Sequence, residues 1–277
     1  MVVFSSVICY LLAPKVVEFD WSMIALLFAG GFLVTGSANA MNQAIEKETD
    51  AVMMRTAKRP VASGRMNEKE AWVFAILTGV AGVVLLWYYF NGLCASLAAL
   101  SLFLYAFVYT PLKKVNAVAV LVGAFPGALP CLIGWAAGND SLFENGHGWR
   151  DYGGWILFAI QFLWQFPHFW AIAWIAHKDY SNAGFRLLPT EVGPTKKTAL
   201  ETIVYALMLI PVGTLPYVIK LSGLTSMIIV VLANLFLTAQ CVRLYIEMDS
   251  KAARRVMFSS YIYLPVILLA LLANKIS

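Results

Sequence analysis

Nine long apolar runs constrain this chain more than any other feature. They cover roughly residues 2–17, 21–42, 71–90, 93–110, 117–137, 154–176, 199–219, 223–244 and 257–273. A bilayer core takes about 20 apolar residues per helix, and within it only helices and closed barrels satisfy every backbone polar group. The runs are continuous rather than alternating, which argues against barrel strands. Charged residues make up 13% of the 277, against about 25% in soluble domains. So few charges cannot cover a water-exposed exterior of this size. Composition therefore excludes a cytosolic enzyme, a nucleic-acid-binding module and a disordered chain. An all-α polytopic membrane protein remains, one domain over residues 1–277 with the lipid bilayer as its surroundings. The first run is the weakest, lacks the basic flank and cleavage site of a signal peptide, and reads as the trimmed or mis-started beginning of the native N-terminus.

The basic residues give the direction of threading. Sixteen of the 20 Lys and Arg fall in or beside the loops after the second, fourth, sixth and eighth runs. By the positive-inside rule those loops face the cytoplasm and the C-terminus lies outside. Ten of the 15 acidic residues share that side, among them Glu46, Glu48, Asp50, Asp179 and Glu191. Orientation needs no acids, so their crowding points to a site. Cys9, Cys94, Cys131 and Cys241 lie inside apolar runs without a CxxC pair and read as small buried hydrophobes.

The second run leaves the membrane through Asn42, Glu46 and Asp50, followed by Arg55, Lys58, Arg59 and Pro60. On a continuing helix, positions i, i+4 and i+8 share one face, and Pro60 is expected to mark that helix's end. Any helix turns polar as it leaves a membrane, but ordered carboxylates followed by ordered cations are more specific. Hard divalent cations take oxygen ligands, and Mg²⁺ in particular is held by one or two carboxylates together with substrate phosphates. Arginine forks suit the remaining phosphate oxygens. The pattern fits a diphosphate with its metal.

The sixth run carries Trp164, Gln165, Pro167, His168, Trp170 and Trp174, then continues into His177, Lys178 and Asp179. Polar residues within a span face a cavity or a partner, and Pro167 is expected to kink the helix. His168 is suited to ligating iron, accepting a proton or satisfying a neighbouring helix; its type alone leaves all three open. The aromatics suit a flat, π-rich ligand and equally a lipid-facing belt. Asp179 adds a carboxylate on the side of Glu46. The fourth run ends in Tyr109-Thr-Pro111-Leu-Lys113-Lys114, where Pro111 is expected to stop the helix. The fifth contains Phe125-Pro-Gly-Ala-Leu-Pro130, read as a broken segment that opens space in the bundle.

Together these motifs resemble the UbiA superfamily of intramembrane prenyltransferases, and within it the heme-modifying branch. The resemblance rests on N-x₃-E-x₃-D-x₄-R-T-x₂-R-P (Asn42 to Pro60), Y-T-P-L-K-K (Tyr109 to Lys114), F-P-G-A-L-P (Phe125 to Pro130), W-Q-F-P-H-F-W (Trp164 to Trp170) and K-D-Y-x₂-A-G-x₃-L-P (Lys178 to Pro189). It implies nine transmembrane helices around a central cavity. It also implies Mg²⁺-dependent transfer of the farnesyl group of farnesyl diphosphate to a vinyl group of heme b, giving heme O for a downstream heme A synthase; the lack of an Arg/Ser-rich transit segment points to a bacterial inner (plasma) membrane. By the same resemblance Asn42, Glu46, Asp50, Asp179 and Tyr109 are catalytic, with Glu46, Asp50 and Asp179 on the metal. Arg55, Arg59, Lys113, Lys114 and Lys178 would contact diphosphate, and His168, Gln165 and Trp164 the heme. The second acidic motif departs from the superfamily pattern, with Ala183 four residues after Asp179. The rival expectations are a prenyltransferase for an aromatic acid or quinone precursor and, from another class, a membrane transporter.

Overall fold

The apolar runs begin at side chains that hold the free N–H groups of a first helical turn. Asp20 accepts from the amides of Ser22 and Met23, and Asn67 and Glu70 cap each other reciprocally. Asn91, Thr195 and Asp249 do the same for Cys94, Thr198 and Ala252. Such caps fix where a helix enters the bilayer, because an unpaired N–H there has no water to bond.

The computed structural model describes residues 1–144, 146–190 and 192–276; Glu191 lies outside the described residues. Its helices are α1 (Val2–Leu12), α2 (Trp21–Ile45), α3 (Lys47–Val52), α4 (Glu68–Tyr89), α5 (Gly92–Phe103), a π-helical turn (Leu104–Tyr109), α6 (Thr110–Leu112), α7 (Val118–Asn139), a 3₁₀ turn (Gly148–Tyr152), α8 (Gly153–Ile175), α9 (His177–Asn182), α10 (Lys196–Val218), α11 (Leu224–Glu247) and α12 (Ser250–Ala273). Eight helical segments among the described residues are long and apolar enough to cross a membrane. The first apolar run appears as the 11-residue α1. No strand occurs among the described residues, only an isolated bridge between Ser222 and Lys275.

Helices α2, α4, α5 and α7 pack in series, and α8, α10, α11 and α12 close a second group. α7 joins the two through α8, while α1 lies on α7 and also touches α2 and α12. The approach of α1 depends on Gly134, where a Cβ would overlap the Ser6 carbonyl; small residues let membrane helices come this close. Lys275 fastens the other end of α1, donating to the carbonyls of Leu11, Ala13 and Val16 at 2.8, 2.8 and 2.6 Å.

Two local expectations are corrected and one holds. Pro126 and Pro130 do not break the fifth span, because α7 is continuous through both. Ser101 Oγ donates to the Pro126 carbonyl that Pro130 leaves without an amide partner. The fourth span does stop at Pro111 as expected, ending at Leu112 one residue later, and the turn before it widens to π form, accommodating the missing N–H. The helical path from α2 ends at Val52, well before Pro60.

Candidate active site

α2 ends where its acidic motif begins. Glu46 leaves helical geometry (φ −101°, ψ 16°) and separates α2 from α3, although neither Pro nor Gly is nearby. Hydrogen bonds from Glu46 N to Asn42 O (2.9 Å) and from Asp50 N to Glu46 O (2.7 Å) carry the chain across the break. α8 is built alike: Ala176 (φ −93°, ψ 15°) separates it from α9, and Tyr180 N bonds to Ala176 O at 2.9 Å. Both halves of the bundle thus deliver their polar motif on a bent helix end.

Asn42, Glu46 and Asp50 line one cavity of about 470 Å³ that runs into the apolar bundle. Glu46 and Asp50 are 3% and 1% exposed, a costly environment for carboxylates without partners. Asn42 Nδ2 donates to Glu46 Oε2 at 2.9 Å, and Lys113 Nζ stands 2.8 Å from Glu46 Oε1 and donates to Asn42 Oδ1 at 3.1 Å. Burial pushes the Lys113 pKa below the usual lysine value, with the Glu46 carboxylate pulling the other way. Arg59 Nη1 donates to Asp50 Oδ2 at 2.8 Å. Asp50 Oδ1 is buried and has no hydrogen-bond partner among the described residues.

Two aromatic residues follow the carboxylates into the cavity. The π-helical turn sets the rings of Tyr105 and Tyr109 5.4 Å apart, both in the lining. Lys113 lies 4.8 Å from the Tyr109 ring centroid. Thr110 Oγ1 is 2.8 Å from Tyr105 O and 3.1 Å from Asn42 Oδ1, with one proton to share between them. Arg55 donates to Tyr180 Oη at 2.8 Å; burial raises that phenol's pKa, and Arg55 opposes the rise.

Deeper in the same cavity lie Trp164, Gln165 and His168. Gln165 donates to the carbonyls of Ala124 and Gln161 at 3.0 and 3.1 Å, in space that exists because residue 127 is glycine; a Cβ there would overlap Gln165 Oε1. The Trp164 indole donates to Ser260 O at 2.9 Å and stacks on the His168 ring at 4.8 Å and 16°. His168 Nδ1 is 2.8 Å from Ser260 Oγ, whose own proton goes to Met257 O at 2.6 Å. A hydroxyl has one proton, so Nδ1 must be the donor to Ser260. The Nε2 lone pair of the neutral ring is then available to a ligand.

Not every candidate shares this chamber. Asp179 is half-buried and outside the cavity lining, although its neighbour Tyr180 is within it. Lys178 is exposed and also outside the lining. Lys114 is exposed and lines a different cavity. Tyr105, Thr110, Gln161, Ser260 and Tyr261 belong to the site without having been singled out. For Gln161 a signal was present, a second intramembrane glutamine one turn before Gln165.

The donor set fits Mg²⁺. Asp50 Oδ1 is an orphaned, buried hard donor, and Glu46 lies in the same lining. No cluster of three His, Cys, Asp or Glu suited to a metal occurs among the described residues, so phosphate and water oxygens would complete the coordination.

The model of the UbiA prenyltransferase family matches residues 2–262. A protoheme IX farnesyltransferase of Cytophaga hutchinsonii is 44% identical over 275 residues, covering 99% of this chain and 93% of that one. A solved structure from work on digeranylgeranylglyceryl phosphate synthase superposes with TM-score 0.79 at 20% identity, covering 99% of this chain and 92% of that one. A UbiA homologue from Archaeoglobus fulgidus, solved with GPP and Mg²⁺, superposes with TM-score 0.61 at 12% identity over 98% of both chains.

Proposed function

The chain belongs to the UbiA prenyltransferase family, and from that membership we propose that it transfers the farnesyl group of farnesyl diphosphate to a vinyl group of heme b, making heme O. The observation that carries this reading is a single cavity with buried carboxylates and cations at one end and His168 stacked on Trp164 deeper in. A diphosphate belongs at the first, and an iron porphyrin against the second.

Glu46 and Asp50 would hold Mg²⁺ together with the diphosphate. When bound, the metal neutralises phosphate charge and makes diphosphate a better leaving group. Arg55, Arg59 and Lys113 take the remaining charge, and Asn42 keeps Glu46 and Lys113 in register. The allylic C1–O bond breaks with its electron pair going to the diphosphate oxygen. The heme vinyl π electrons form the new bond to C1, leaving a cation on the carbon next to the porphyrin. Water adds there and loses a proton, giving a hydroxyethylfarnesyl side chain. Tyr109, with Tyr105 beside it, offers aromatic faces to the allylic cation, and the apolar walls keep water from it until the bond has formed.

His168 would offer Nε2 to the heme iron, with Ser260 fixing the tautomer as hydrogen-bonded partners of metal-binding histidines do. Trp164 and Gln165 shape the same pocket. Asp179 lies outside the chamber lining beside Tyr180, so we leave the metal–diphosphate contacts to Glu46 and Asp50. The basic-residue asymmetry supports an inner (plasma) membrane protein with this rim toward the cytoplasm and the C-terminus outside. Heme O would pass to a heme A synthase. Pigment analysis of a host expressing the gene tests the reading: accumulation of heme O supports it, and accumulation of a prenylated phenolic acid instead overturns it.

A further inference from the structure

The chamber continues well past its polar end. In the prenyl-transfer reading the allylic C1 lies at Tyr109, whose ring packs against α7 at Gly123, where a Cβ would overlap the ring carbons. From Gly123 the α7 lining runs through Gly127 and Pro130 to Ile133, an advance of about 15 Å by the rise of an α-helix. Leu86 of α4 and Ala98 of α5 line the same far end. Asn91, between those two helices, donates to Ala136 O of α7 at 2.7 Å, so Leu86, Ala98 and Ile133 each lie within about two turns of one tie point. All three are buried. Leu86 is held across Gly30 of α2, where a Cβ would overlap its side chain. The packed core continues beyond them through Cys9, Tyr10 and Cys94, none of which reaches the lining.

An extended carbon chain advances about 1.2 Å per bond, as an extended backbone does. On that scale the main chain of a geranyl group spans about 8 Å, of a farnesyl group about 13 Å and of a geranylgeranyl group about 18 Å. Only the farnesyl length fills the run from Tyr109 to Ile133. A shorter tail leaves wall atoms without partners, and a longer one must displace packed side chains. We propose that Leu86, Ala98 and Ile133 form the floor of the tail-binding arm and set the isoprenoid length that the protein accepts. The proposal rests on the prenyl-transfer reading for the position of C1, and it adds what selects the donor.

The test incubates purified full-length protein with heme b, Mg²⁺ and equal amounts of geranyl, farnesyl and geranylgeranyl diphosphate, and compares the prenylated hemes by mass spectrometry. The readout is a ratio within one sample, so a smaller folded fraction does not move it. Wild-type protein is expected to favour farnesyl over either neighbour by about tenfold or more, the scale on which a closed apolar pocket discriminates methylenes. Ala98→Leu is expected to shift use toward geranyl by about tenfold, with Ala98→Val moving the same way should the larger side chain prevent folding. Leu86→Ala is expected to raise use of geranylgeranyl by a similar factor. Equal use of the three lengths by wild-type protein, which would mean that the tail leaves the bundle between helices, overturns the proposal. Ratios unchanged in both the Ala98 and the Leu86 variants overturn it too. Displacement of radiolabelled farnesyl diphosphate by the other two donors, with Mg²⁺ and without heme, reads the same ranking. That ranking in a protein that never prenylates heme would refute the acceptor reading while sustaining the floor.

Discussion

Asp50 has one oxygen on Arg59 and one with no partner among the described residues, which makes it the first residue to change. Asp50→Asn keeps the shape and removes the charge, and we expect transfer to fall by about 10² to 10³-fold, the scale of losing one electrostatic contact to a developing charge. Membrane insertion should be unchanged; a variant with wild-type turnover in Mg²⁺-replete assays would remove Asp50 from the metal site. His168→Ala should weaken heme binding more than farnesyl diphosphate binding, and equal losses would reassign the histidine to structure. Ser260→Ala should shift the Soret band of bound heme and lower heme affinity about tenfold, because Nδ1 loses its acceptor while His168 itself remains. The acidic motif was legible because its spacing is regular. Ser260 was not: it is one of several hydroxyls at the start of an apolar run, and its partner lies 92 residues away in sequence. Nor could the paired lysines be told apart, since only the fold puts Lys113 and Lys114 in the linings of separate cavities.

At the scale of elements, the apolar runs became helices nearly as the hydrophobic pattern marks them, because backbone satisfaction in lipid leaves no other form. Their interruptions were less readable. One proline motif that looks like a break is absorbed within a continuous α7. Meanwhile the break that shapes the site, at Glu46, carries no Gly or Pro. Tertiary pairing of Glu46 with Lys113 has no local sequence signature. The tight contact of α1 with α7 was equally hidden, resting on Gly134 and Gly138. Gly134→Ala forces a Cβ onto the Ser6 carbonyl and should destabilise the protein by about 1–3 kcal/mol, the usual cost of overpacking. Thermal unfolding in detergent measures this, and an unchanged Tm would mean that α1 yields without cost.

Over the whole molecule, charge placement and chamber placement agree. The loops rich in Lys and Arg follow the same helices that end in Glu46, Lys113 and Tyr180, so the diphosphate end of the cavity and the basic face of the protein coincide. A cysteine introduced at Lys275 should be labelled by a membrane-impermeant thiol reagent from outside intact cells, and labelling only after lysis would invert the assigned orientation. The most direct measurement of the central claim, that carboxylates and magnesium activate farnesyl diphosphate in a chamber shared with heme, is mass spectrometry of hemes extracted after purified protein is incubated with heme b and farnesyl diphosphate. With Mg²⁺ present the account predicts heme carrying one hydroxyethylfarnesyl group, and with EDTA unmodified heme b alone. Unmodified heme b in the Mg²⁺ sample, or equal conversion in both, would contradict it.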